Sequence, residues 1–333
     1  MLLGGSGTTI GGTTDGTQNT IISNTGDGIR LAKTSKTGAP AGHLIQGNFI
    51  GTNENRDVDS SLGNGSNGIT VSLGAFNTTS GNVVMNNAVD GMLIEGGNDN
   101  TVGGILASAG NVIANNTANG ISIKQQSGSS ASTGHRIYGN TIVENGGNGV
   151  EVNGLKTSKI FVGQDTTGKV VAGRGNTITD NFGAGVKIIA AKQVAVQGNT
   201  MGNNGSHIEL GSNANPLSGT VTLTSAVFRQ PPGGGGKQVE IVGTIAGGKP
   251  NQVYSVDFYA NDPGDKEGIR RFIGRGTATA DSHGNARIRM TISSDVLLQS
   301  TITATATSLR YDIGQSTGTL LGGVENPPIV RLR

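Results

Sequence analysis

Three charged residues recur at one place in a repeated sequence: Glu151, Lys187 and Glu209. Each sits between apolar neighbours, in Val150-Glu-Val152, Val186-Lys-Ile188 and Ile208-Glu-Leu210. That alternation is the strand period, so all three point outward on one face. Glycosidic hydrolysis needs two carboxylates about 5–9.5 Å apart. Glu151 and Glu209 fall two repeats apart, about 9.6 Å at ~4.8 Å per strand, with Lys187 between them. A cation there holds both carboxyls ionised rather than preparing an acid. A lyase needs a Lys, Arg or His base near a group that neutralises a carboxylate, and Lys187 is the residue for that role. These three are the candidate catalytic residues.

The same outward position carries Arg30, Thr70, Leu93 and Ser122 in earlier repeats. The residue after the second apolar one is Ala32, Ser72, Glu95, Lys124, Asn153 and Ile189. Arg30, Glu95, Lys124 and Asn153 are the candidate substrate contacts. Neighbouring repeats set Glu95 beside Lys124, and Glu151 beside Lys187. Opposite charges so placed commonly stabilise a solvated sheet by roughly a few tenths of a kcal/mol, and that ordinary reading is preferred to catalysis. The remaining polar candidates are weaker. His43 and His135 share a column three repeats apart and read as surface or turn residues. Asp262, Asp265 and Glu267 offer oxygens to Ca²⁺, but not at EF-hand spacing, so a solvated loop is preferred and no cofactor or metal is assigned. Arg270, Arg271 and Arg275 form a basic patch suited to acidic glycans or simply to solvent.

What positions these residues is the repeat itself. Its pattern is Asn, an apolar residue two on, Asn at five, Gly at nine, then an apolar pair. Copies start at Asn19, Asn48, Asn82, Asn111, Asn140, Asn176 and Asn199, with intervals of 29, 34, 29, 29, 36 and 23. A second short strand precedes each Gly-Asn, as in His43-Leu-Ile-Gln and His135-Arg-Ile-Tyr. Three short strands per repeat cannot bury a face alone. Stacking the copies as coils buries one, which predicts a right-handed parallel β-helix of about seven coils over residues 1–215. Asn side chains repeating at strand spacing can bond in ladders, so Asn24, Asn53, Asn87, Asn116, Asn145, Asn181 and Asn204 are expected to form one. Gly28, Gly91, Gly120, Gly149 and Gly185 are expected at turns with positive φ or at close backbone approaches. Residues 216–333 carry longer alternating strands, Val221–Val227, Val239–Ala246, Val253–Ala260, Ala286–Ile292 and Thr301–Thr307. They predict an antiparallel β-sandwich, with Ile241, Ile245, Tyr254, Val256, Phe258, Ile288, Met290, Ile292 and Ile302 inward. The fold class is all-β.

Composition narrows the function. Gly is 58 of 333 residues, Trp is absent and aromatics are 3%. That weighs against stacking of nucleic-acid bases and against a sugar site built from aromatic platforms. The absence of Cys rules out disulfides and thiolate metal sites. No apolar run is long enough to span a membrane. Residues 1–215 carry 12 basic and 13 acidic groups and residues 216–333 carry 12 and 9. Net charges of −1 and +3 make neither half a polyanion binder. Met1-Leu2-Leu3 is too short for a signal peptide, and the repeat begins without a visible cap, so a fragment of a longer protein is expected.

The stretch from Thr9-Ile-Gly-Gly to Asn24, with Ile45-Gln-Gly-Asn-Phe-Ile-Gly-Thr-Asn53 and Leu62-Gly-Asn64, resembles the Asn/Gly-rich parallel β-helix repeats of bacterial surface and secreted proteins. Tyr254-Ser-Val-Asp-Phe-Tyr-Ala-Asn261 and Ile302 to Thr307 resemble the immunoglobulin-like module that often closes such proteins. The resemblance implies an extracellular or cell-surface location. The Asp-pair, Gly-His-Gly and Arg-Ile-Lys elements of pectin hydrolases are absent, as are the Arg-x-Pro-x-x-Arg and calcium motifs of pectate lyases. The expected function is therefore adhesion, display or glycan binding without clear catalysis. Its expected partners are a polysaccharide, a cell-surface glycan or a host surface component, with no nucleic acid. A polysaccharide lyase or glycoside hydrolase on the outward strand face is the alternative. A trimeric phage tail-spike fragment is a third class.

Overall fold

The computed structural model describes residues 2–33, 38–127, 130–163, 175–214, 219–229, 238–263, 268–293, 296–297, 299–312, 315–321 and 329–331. No α-helix occurs among them, only 3-10 turns at Ser60–Leu62 and Ala107–Ala109. Three parallel sheets run along the first two-thirds of the chain. The first stacks Leu2–Leu3, Ile29–Leu31, Ile69–Ser72, Met92–Glu95, Ile121–Lys124, Val150–Asn153, Ala184–Ile189 and Ser206–Leu210. The second includes Thr9–Gly11, Leu44–Gln46, Thr101–Gly103, Arg136–Tyr138 and Lys192–Gln197. The third runs from Thr20–Ile21 through Val83–Met85 and Val112–Ala114 to Thr200–Gly202. The chain visits the sheets in turn, so this part is a parallel β-helix.

Its interior is a set of aliphatic stacks. Ile50, Val84, Ile113, Ile142, Ile178 and Met201 line up from the third sheet, and Ile69, Met92, Ile121, Val150, Val186 and Ile208 from the first. Each such side chain contributes about 1.5–3 kcal/mol on burial. Asn ladders close the corners. Asn24, Asn64, Asn87, Asn116, Asn145 and Asn181 each donate a side-chain N–H to the next rung at 2.8–2.9 Å, and Asn204 accepts the last of these bonds. Asn53 is not a rung: it lies in the loop, bonded to Asp57, and Asn64 takes the place instead. A second ladder joins Asn19, Asn48, Asn82, Asn111, Asn140, Asn176 and Asn199.

A third ladder corrects the reading of the two histidines. His43, Asn77, Asn100 and His135 form one column, and both rings are buried. Each ring imitates an asparagine. His43 accepts the Thr8 N–H at Nδ1 and faces the Gly5 carbonyl with Nε2. His135 accepts the Asn100 N–H at Nδ1 and meets the Ser132 hydroxyl at Nε2.

The glycine column behaves differently from half of its expectation. None of Gly28, Gly91, Gly120, Gly149 and Gly185 has positive φ; close approach is what requires them. A Cβ at Gly120 would lie 2.5 Å from Ile142 Cγ2 and 2.7 Å from the Gly149 carbonyl. Left-handed residues stand one place ahead of six rungs of the first ladder: Ser23, Asn86, Asn115, Glu144, Asp180 and Asn203 have φ between 53° and 59°. Asn and Asp tolerate that conformation, and the bend it makes turns each rung inward.

The C-terminal part forms two antiparallel sheets. One places Gln238–Ala246 between Thr220–Arg229 and Ala286–Ser293. The other runs Arg271–Thr279, Val253–Asn261, Thr301–Asp312 and Gln315–Leu321, with Ile329–Arg331 beside Thr301–Asp312. The inward candidates are buried between them, Met290 only partly. Arg271–Thr279 is a strand the sequence did not reveal, because Gly274 and Gly276 interrupt its apolar alternation. This unit closes the C-terminal end of the β-helix. Ile269 bridges Met201, and Tyr259, Ile269 and Phe272 join the β-helix core. Asp257 accepts the Gly198 N–H at 2.8 Å and pairs with Arg275, both side chains being almost fully buried. A solenoid end needs such a cap. The expected basic patch dissolves accordingly: Arg275 serves the junction, Arg270 donates to Asn203, and Arg271 pairs with Asp262.

Candidate functional site

The outward face of the first sheet is built as its alternation requires. Cross-strand register aligns Arg30, Thr70, Leu93, Ser122, Glu151, Lys187 and Glu209 in one row. Ser72, Glu95, Lys124 and Asn153 form a parallel row. Within the first row, Thr70, Leu93 and Ser122 are buried, Arg30 is exposed, and Glu151, Lys187 and Glu209 are half-buried; in the second row Lys124 is exposed and Glu95 and Asn153 are half-buried. The sequence therefore places the candidate residues on one face, with small side chains as its floor.

A fourth ladder holds this face, and the sequence reading missed it. Asp27, Asn67, Asp90, Asn119 and Asn148 stack through backbone N–H bonds to successive side-chain oxygens. Each stands immediately before the repeat's Gly, and that identity was the available signal. Members reach three residues forward to the outward row: Asp27 pairs with Arg30 at 3.0 Å, Asn67 donates to Thr70 at 3.1 Å, Asn119 to Ser122 at 3.1 Å and Asn148 to Glu151 at 3.0 Å. Burial pushes the Asp27 carboxyl up, but hydrogen bonds from Arg30, Ser66, the Asn67 backbone and Thr70 outweigh it and hold Asp27 below the usual carboxylate range.

The ladder stops at Ala184, whose N–H donates the last bond to Asn148 Oδ1. Lys187 thus has no amide partner three residues behind it. Its ammonium instead meets Glu209 at 2.7 Å, a pairing the sequence had assigned to Glu151. Glu151 and Lys187 are neighbours in register, yet the ion pair lies one coil further on. Such half-exposed pairs contribute about 0–1 kcal/mol. Chemically, Lys187 is engaged as a cation, whereas a general base must be unprotonated. Two strand spacings separate Glu151 from Glu209, about 9.6 Å, at the far limit for an inverting pair. Among the described residues no three His, Asp or Glu side chains are grouped to hold a metal ion. Of the proposed calcium ligands, Asp262 is engaged by Arg271 and Ser300, and Asp265 and Glu267 lie outside the described residues.

No protein-family model matches the chain, and no curated protein does. Solved structures give likenesses of fold. The periplasmic alginate epimerase AlgG shares 16% identity over 53% of this chain and 38% of its own, with a TM-score of 0.39. The A-module of the mannuronan C-5 epimerase AlgE4 of Azotobacter vinelandii shares 14% over 57% and 50%, with a TM-score of 0.38. Tailspike protein 2 of the Escherichia coli O157:H7 bacteriophage CAB120 shares 9% over 98% and 64%, with a TM-score of 0.32. This chain spans less than two-thirds of the length of each. Identities this low concern the architecture alone, and fold does not carry function. No helix among the described residues is long and apolar enough to cross a membrane.

Proposed function

We propose that this chain is an extracellular or cell-surface β-helix that binds polysaccharide along the outward face of its first sheet without cleaving it. The observation that supports this reading is the row itself. The register is unbroken from Arg30 to Glu209, and the accessible members Arg30, Glu151, Lys187 and Glu209, with Glu95, Lys124 and Asn153 in the row beside them, offer a polymeric ligand a series of hydrogen-bonding partners. The charged members Arg30, Glu95, Lys124, Glu151, Lys187 and Glu209 sum to zero, which favours hydroxyl recognition over binding of a polyanion. Glu151 is held by the Asn148 amide, Arg30 by Asp27 and Lys187 by Glu209 rather than poised by unusual burial, which suits binding more than proton transfer. Adhesion to a glycan-bearing surface, or display on the producing cell, follows from the same face.

Retention on immobilised polysaccharides tests the reading. The double variant Glu151→Gln/Lys187→Met changes two outward groups without touching the core, and should weaken retention while leaving the unfolding temperature nearly unchanged. Equal retention of the variant and the parent would contradict the assignment of this face. The alternative, a lyase or hydrolase, draws on the alignment of Glu151, Lys187 and Glu209 in one row. It requires new unsaturated or reducing ends that disappear in Lys187→Ala or Glu151→Ala.

A further inference from the structure

The corner between the third and first sheets carries one residue out of keeping with its column. Ala88, Thr117, Gly146, Phe182 and Gly205 occupy equivalent places, each donating its N–H to the ladder asparagine one coil before. Phe182 is 85% exposed, the highest value among the large apolar residues described. A single exposed apolar residue needs no explanation by itself. Its surroundings are what distinguish this one. The coils on either side present Gly146 and Gly205, so neither equivalent neighbour has a side chain to stand beside the ring. Five residues on from Phe182 is Lys187, and five on from Gly146 is Glu151. Phe182 therefore lies in the turn that leads into the strand carrying Lys187, at the end where the fourth ladder stops and Lys187 turns to Glu209.

We infer that Phe182 is a stacking platform for one pyranose ring of an uncharged polysaccharide, with Asn148, Glu151, Lys187 and Glu209 hydrogen-bonding its hydroxyls. An aromatic face is electron-rich and attracts the weakly positive C–H face of a sugar. Hydroxyl groups suit the polar partners, since the carboxylates accept and the ammonium donates, while Asn148, whose two amide hydrogens go to Asn119 and Glu151, offers its oxygen. Charge selects against an acidic sugar. Glu151, Lys187 and Glu209 sum to −1 (−1 + 1 − 1), and Lys187 is already paired with Glu209. This subsite rests on the glycan-binding reading above and names the ligand class for one end of that face.

The test is affinity electrophoresis of the full chain with xyloglucan and galactomannan as uncharged probes and polygalacturonate as the anionic one. Phe182→Ala should weaken retention by an uncharged polymer about tenfold, and Phe182→Tyr should restore it. Leu106→Ala removes a comparably exposed side chain at a different corner and should change nothing. Retention by an uncharged polymer that is the same in Phe182→Ala as in the parent overturns the subsite while leaving the broader reading standing. Preference for polygalacturonate overturns the ligand class. Failure of the parent chain to bind any of the three overturns both.

Discussion

Replacing His135 by Asn should make the protein more resistant to acid, by an amount the third ladder sets. His135 is fully buried, with Nδ1 accepting the Asn100 N–H at 3.2 Å and Nε2 facing Ser132 at 3.0 Å. Burial lowers its pKa from 6.5 to about 4; the Asp99 charge opposes this and the Arg136 charge adds to it. A proton at Nδ1 would also confront the Asn100 N–H with a second donor. Between pH 6.5 and about 4 the unfolded chain takes up a proton that the folded chain refuses. The stability from this group is thus fully present above 6.5 and falls as pH drops towards 4. At ~1.4 kcal/mol per pH unit, the whole interval costs about 3 kcal/mol. Asn at this position keeps a rung of the kind already used at Asn77 and Asn100, and it does not titrate. Denaturant unfolding of both proteins at pH 7.5 and pH 4.5 isolates the effect, because carboxylate titrations common to both cancel in the difference. His135→Asn should gain about 2–3 kcal/mol on the parent between the two conditions. Parallel pH dependences would refute the reasoning, whatever the variant costs at neutral pH.

Other perturbations should separate scaffold from surface. Asn145→Ala leaves the Ile113 and Val143 carbonyls and the Asn116 and Asn181 side chains short of a partner, so chemical denaturation should show a loss of about 3–5 kcal/mol; Asn53→Ala, in the loop, should cost less than about 1 kcal/mol. Gly120→Ala forces a methyl onto Ile142 and the Gly149 carbonyl and should lower stability by about 3 kcal/mol or more in the same assay. Arg275→Met strands the Asp257 carboxylate inside the junction and should cost about 3–5 kcal/mol, with earlier proteolysis between the β-helix and the sandwich.

The architecture was legible because the repeat states it twice, in spacing and in residue type. Aliphatic residues at even spacing fixed the inward stacks, and the Asn columns fixed the corners. Asn53 misled because it was found by counting forward from Asn48. Counting back from the glycine gives Asn64, four residues before Gly68, as Asn87 is before Gly91 and Asn116 before Gly120. The insertion had moved the rung to its far side. The histidines misled because a polar, ionisable side chain suggests the surface, whereas a neutral imidazole has the same donor and acceptor pair as an amide. The outward row was read correctly as a row, with Glu95 beside Lys124 and Glu151 beside Lys187, but the ion pair that Lys187 makes was not foreseen. Lys187 pairs with Glu209 because Ala184 ends the fourth ladder, and that ladder becomes visible only when residues three apart in sequence are seen to touch. The sandwich strand Arg271–Thr279 and its buried Arg275 were hidden by glycines and by a charge that the junction, not the solvent, accommodates.

The proposed role of the outward face is to hold a polysaccharide and leave it intact. The most direct measurement is the size distribution of a retained polysaccharide, followed by size-exclusion chromatography through a long incubation with the protein. The polymer should co-elute with the protein at first and keep its full length throughout. Progressive shortening of the polymer, abolished by Lys187→Ala or Glu151→Ala, would contradict it.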